Sequence, residues 1–142
     1  MGRYNRRDAL AKKLALAGKD FSTTSIVELA SIFRKILEQK IHGITFSPYT
    51  EGQGPGTKIG EQQIRERLEI IRPCVNWIRS FSCTDGNEQI PRIAAGNGLK
   101  TMVGVWLDDD RENNEKELAG AIEVARAGHA NILAVGNEVL LR

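Results

Sequence analysis

Four short stretches hold the side chains best suited to chemistry, and each sits at the end of an apolar run. Ser47, Tyr49 and Glu51 follow "IHGITF"; Ser82, Cys83, Thr84 and Asp85 follow "VNWIRSF", which also carries Arg79. Trp106 closes "LKTMVGVW" ahead of Asp108, Asp109 and Asp110, and Asn137 and Glu138 follow "NILAVG". Carboxylates donate or take protons, amides and a guanidinium fix polar groups, and aromatic rings offer flat apolar faces. Together they suit a polyhydroxylated ligand: the rings cover its apolar faces and the polar groups match its hydroxyls.

Sharper motifs fail on their spacing. "GPGTK" lacks the G-x-x-x-x-G-K-[ST] order of a phosphate loop. "DDDRENN" has acids near calcium-loop spacing, but Asn113 stands where the loop needs glycine and Ala119 where it needs glutamate. No metal site and no cofactor is expected. His42 and His129 fall near strand beginnings, where a stabilising role is the expectation. Cys74 and Cys83 fit no metal spacing and are too few for a disulfide framework; Cys83 lies near the rim of strand ends, where it could be exposed. Glu138 also has a plain structural reading, with Asn137 as a helix N-cap and Glu138 as a first-turn acid.

The elements that position these residues form a regular alternation. Strands are expected at 41–46, 75–81, 99–106 and 131–136, apolar on both faces as parallel strands covered by helices are. Between them, 60–72 place Ile64, Leu68 and Ile71 on one helical face, and Pro73 stops the helix. Residues 86–97 carry Ile90, Ile93 and Ala94. Residues 111–127 run from acidic to basic, with Leu118, Ala121, Ile122 and Ala125 as the inward face. The outcome is an α/β chain of right-handed parallel units, which gathers the loops after the strands at one end. Residues 1–40 form a helical N-terminal extension, in which Ser25 and Glu28 make a capping box for a helix through Ile26, Leu29, Ile32, Phe33, Ile36 and Leu37.

Composition narrows the classes of partner. The 142 residues suit one domain, with 41% hydrophobic and 27% charged residues. A formal charge of +2 gives no reason to expect nucleic acid. The basic stretch at 3–19 reads as a solvated helix. With no export signal and no transmembrane segment in the chain, neither a membrane partner nor secretion is expected, and a reduced cytoplasmic protein is the default.

The segments "IHGITFSPYTEGQGPG", "NWIRSFSCTDGNEQIPRIA", "LKTMVGVWLDDDRENNEKEL" and "ILAVGNEVLLR" resemble the N-terminal half of glycoside hydrolase family 17, the β-1,3-glucanase family in its microbial form. The resemblance runs from Ile41 to Arg142, and "VGNE" is its most specific element. It implies half of a (β/α)₈ TIM barrel over 41–142 and retaining cleavage of β-1,3-glucan. Glu138 would be the acid/base, and Asn137 would hydrogen-bond the sugar 2-hydroxyl. Arg79 is similar to an arginine that supports the nucleophile, and Tyr49 and Trp106 would line the cleft. Many relatives carry tyrosine at the Phe46 position, so a hydroxyl contact made there would be missing.

A whole barrel takes about 250 residues, so strands five to eight and the nucleophile are expected to be missing from this chain, leaving it inactive alone. The expected partners are a β-glucan or oligosaccharide, and either a second copy or the missing C-terminal half. A non-catalytic half-barrel that binds glucan or self-associates is the main alternative. An open phosphate-binding α/β domain is weaker, because no Gly-rich fingerprint follows the first strand.

Overall fold

The computed structural model describes residue 16 and residues 18–136. The chain divides into two units, Met1–Arg34 and Lys35–Arg142. Helix α1 (Ile26–Glu38) begins in the first unit and ends in the second. Its capping box forms as expected. The Glu28 amide donates to Ser25 Oγ at 3.3 Å, and the Ser25 amide donates to the Glu28 carboxylate at 3.1 Å. These bonds with Ser25 hold the Glu28 carboxyl below its ordinary value.

The second unit holds one sheet of four parallel strands in the order β1-β2-β3-β4. They are β1 (Ile41–Thr45), β2 (Val75–Arg79), β3 (Lys100–Val105) and β4 (Ile132–Val135). Each lies inside the segment expected from sequence and is shorter by one or two residues. The chain stays bonded to its neighbours just past the strand ends, as in Phe46 N to Arg79 O at 2.8 Å and Ser80 N to Met102 O at 3.0 Å. Sequential order with every neighbour parallel is consistent with one half of a (β/α)₈ barrel.

Three helices connect the strands: α2 (Glu61–Ile71), α3 (Ile90–Gly96) and α4 (Arg111–Arg126). Helix α2 ends where its sequence says it must, because Pro73 falls in the 3₁₀ turn Arg72–Cys74 and has no N–H to continue the ladder. Ile64 and Leu68 of α2 and Ile90, Ile93 and Ala94 of α3 are buried with Phe46, Val75, Ile78 and Leu99 in the main core. A second cluster joins Val103 and Val105 of β3 to Ala121 and Val124 of α4, with Cys83 between them. Entry into β4 is fixed by Thr101, whose amide donates to Asn131 Oδ1 at 2.9 Å and whose hydroxyl donates to His129 O at 2.8 Å.

Helix α4 corrects one expectation. Its inward face is Glu117, Ala121 and Val124, while Ile122 is 48% exposed, Ala125 is exposed and Leu118 is only partly buried. The helix is turned so that a carboxylate points inward, for reasons that lie in the site. Among the described residues, no helix is long and apolar enough to cross a membrane.

Candidate functional site

The loops after β1, β2 and β3 enclose a cleft of about 630 Å³. Its aromatic lining is Phe46, Tyr49, Phe81 and Trp106, and its polar lining includes Ser82, Thr84, Asp85, Asn87, Asp108, Asn113 and Glu117. Each wall has its own local origin.

The first wall is the loop from Ser47 to Lys58. Gln63 of α2 reaches back to it, donating to Pro48 O at 2.9 Å and to Gln53 Oε1 at 2.6 Å, while Gln53 Oε1 also accepts from the Thr50 amide at 3.0 Å. The turn Thr50–Gln53 is thereby tied to α2, and Tyr49 sits between Pro48 and that turn. Asn87 Nδ2 donates weakly to the Tyr49 hydroxyl at 3.4 Å and better to Thr84 O at 3.0 Å.

The second wall is a tight turn, Thr84 to Asn87. The Asn87 amide donates to Thr84 O at 2.9 Å, and both central residues have positive φ, 54° at Asp85 and 92° at Gly86, as a type I′ turn requires. Glycine is required at 86 for a further reason: a Cβ there would lie 2.1 Å from Ile59 O.

The third wall carries Trp106. Its indole Nε1 donates to Asp108 Oδ2 at 3.1 Å, and Asp108 Oδ1 accepts from the Asp110 amide at 2.9 Å. Asp110 then caps α4, accepting from the Asn113 amide at 3.0 Å. The acidic run rejected as a calcium loop is therefore a ring clamp followed by a helix cap. Among the described residues, no group of three or more His, Cys, Asp or Glu side chains could hold a metal ion.

Glu117 joins the second and third walls. It is 1% exposed and accepts from four donors: the Cys83 amide at 2.8 Å, the Trp106 amide at 3.1 Å, the Thr84 hydroxyl at 2.8 Å and the Ser82 hydroxyl. A buried carboxylate survives where its oxygens are saturated by donors, which is why α4 turns this side chain inward. Gly120, one turn further along α4, lets the helix approach; a Cβ there would lie 2.4 Å from Cys83 O.

Sequence reasoning missed Glu117, because an acid in a helix reads as solvated. The available signal was its place four and seven residues before Ala121 and Val124, on the face that packs.

Cys83 is 3% exposed rather than open at the rim, and its Sγ lies 3.5 Å from Gly104 O. Burial, with the Glu117 and Glu88 carboxylates adding to it, pushes the thiol up to about 12. His42 stacks on Trp77 with ring centroids 5.9 Å apart, and the His129 amide donates to Val124 O at 3.2 Å.

The structure brings Tyr49 and Trp106 together on one cleft. Arg79 lines a different groove of about 290 Å³ with Gly43, Thr45, Trp77, Met102 and Ile132. Its guanidinium carbon lies 5.2 Å from the centre of the Phe81 ring, and Phe81 in turn lines the cleft. Asn137 and Glu138 lie outside the described residues; the last described residue, Gly136, donates to Val105 O at 3.0 Å, directly before Trp106.

No protein-family model matches the chain, and no solved structure matches it. The chain is 30% identical over 100 residues to the proteins named probable beta-glucosidase btgE of Aspergillus flavus and Aspergillus oryzae. The similarity covers 69% of this chain and 16% of each fungal protein, so the chain corresponds to a small part of the curated relatives it matches.

Proposed function

We propose that the chain carries the first half of a glycoside hydrolase site that cleaves β-1,3-glucan with retention of configuration. The observation that carries this reading is the cleft at the strand ends, in which Tyr49 and Trp106 face carboxylates and amides. The 30% identity to proteins named beta-glucosidases supports a glycoside hydrolase in general. The narrower assignment to β-1,3-glucan rests on the resemblance of "VGNE" and its companion segments to glycoside hydrolase family 17. On this reading Glu138 protonates the leaving oxygen and Asn137 holds the sugar 2-hydroxyl. Arg79 supports the attacking carboxylate, and Tyr49 and Trp106 stack on the glucan.

A retaining mechanism needs two carboxyl groups about 5–5.5 Å apart, and on this reading the second comes from a later strand of the barrel. The test is reducing-sugar release from laminarin by the chain, alone and mixed with a segment supplying strands five to eight. Activity is expected only in the mixture and is expected to vanish with Glu138→Gln. Robust hydrolysis by the chain alone, lost in Glu138→Gln, would overturn the half-site. A mixture that stays inactive while the chain binds laminari-oligosaccharide would favour the non-catalytic scaffold, a reading that the exposed apolar side chains of β4 also support.

A further inference from the structure

We infer that Glu117 is a positioning residue for glycan binding, the tie that makes the wall after β2 and the wall after β3 into one cleft. The inference deepens the proposed function and rests on it for the identity of the ligand. The loop 82–85 and Trp106 leave different strands, and no ladder bond links their exits beyond the one from Gly104 N to Ser80 O at 3.1 Å. Past that point Glu117 bonds both. One carboxylate oxygen accepts from the Cys83 and Trp106 amides, at 2.8 and 3.1 Å, and the other accepts from the Ser82 and Thr84 hydroxyls.

The consequence is specific to a charged acceptor of this shape. Two amides and two hydroxyls converge on two oxygens, and a carboxylate is the side-chain group whose two oxygens can accept from all four. Glutamine keeps the volume but presents one oxygen and an NH₂ group. That NH₂ can donate to the Ser82 and Thr84 hydroxyl oxygens, which also accept, while the glutamine oxygen keeps the two amides. Two contacts thus reverse direction, and the Cys83 and Trp106 amides are left with a weaker, neutral acceptor. The hold on the Trp106 backbone is then weaker, although its Nε1 keeps Asp108 as a partner at 3.1 Å. Glu117 need not touch the sugar; it acts through Trp106 and Thr84, which line the cleft.

The test compares the wild-type chain, Glu117→Gln and Val124→Ala. Val124 is buried on the same helix in the packing cluster but is not part of the cleft lining, so its truncation supplies a stability control. Amide and indole resonances are followed by NMR, first without ligand and then during titration with laminaritriose, well below each variant's melting temperature. Glu117→Gln is expected to shift the Cys83 and Trp106 amides and the Trp106 indole in the free protein. It should also weaken laminaritriose about tenfold or more, while Val124→Ala lowers the melting temperature and leaves affinity within about twofold.

Unshifted Cys83 and Trp106 signals, or equal loss of affinity in both variants, would overturn the positioning role. If the wild type binds no laminaritriose, the free-protein signals still decide whether Glu117 orders the two walls, and the failure falls on the glycan reading alone. Should Glu117→Gln fail to fold, Thr84→Val, which removes one donor and leaves the carboxylate, replaces it with the same expectations.

Discussion

A thiol must lose its proton before it attacks anything, and Cys83 is held where that loss is hardest. With its value raised from 9.0 to about 12 by burial, it stays protonated across the physiological range. Near neutral pH the native protein should therefore yield one fast-reacting thiol, the half-buried Cys74, with both thiols reacting after guanidinium unfolding. A second fast thiol in the native state, counted with Ellman's reagent, would contradict this.

The same shift has a linkage sign. Above about 9 the unfolded chain releases the thiol proton while the native one keeps it up to about 12, so this contribution to stability declines as pH rises through that window. Positions on the cleft were legible in sequence where they followed from the end of a strand, as with Tyr49 and Trp106. They were not legible where a role depends on partners from distant segments. Nothing local marks Glu117 as the acceptor for residues more than thirty positions earlier in the chain.

Among the elements, α2 and α3 were readable because each packs by apolar period alone and meets a proline or glycine at its boundary. The extent of α4 was readable too, but its inward face was not, since three considerations compete on it. Its apolar residues favour one face, Glu117 needs its donors, and Gly120 marks the line of closest approach. The last two agree, and they win over Ile122. Gly120→Ala tests which force dominates. Alanine favours a helix interior by about 1 kcal/mol over glycine, but its methyl would meet Cys83 O at 2.4 Å. Overpacking of that kind costs about 1–3 kcal/mol. A net loss of stability is expected in urea denaturation; a gain would mean that the helix moves away from the loop at little cost.

For the chain as a whole, β1 and β4 are the two edges of the sheet, and Ile132, Leu133 and Val135 of β4 are exposed, Val135 by 57%. An apolar open edge is a template for further strand pairing. The isolated chain is expected to self-associate, with a weight-average mass that rises with concentration in sedimentation equilibrium. Val135→Lys, placing a charge on that edge, should reduce the association. A mass fixed at one chain over the whole concentration range would show that the edge is quiet. The order of the strands was open to sequence reasoning because right-handed parallel units leave few alternatives. What covers the exposed face of β4 was not legible, because the apolar pattern of one strand does not name its partner.

The cleft described above has Asp85, Asp108 and Glu117 in its walls and neither lysine nor arginine among its described lining residues. Its described lining thus presents negatively charged groups, whose influence is screened over about 8 Å at physiological ionic strength. For a neutral glucan this field is of little account, and added salt should leave its binding unchanged. A sulfated or uronic chain must bring its own negative charge against it, so any binding of such a polymer should strengthen as salt is raised. Titrations at low and high ionic strength separate the two cases. A neutral ligand whose affinity collapses in salt would mean that the charges in the walls hold the cleft in its binding shape, since the ligand carries none for them to attract.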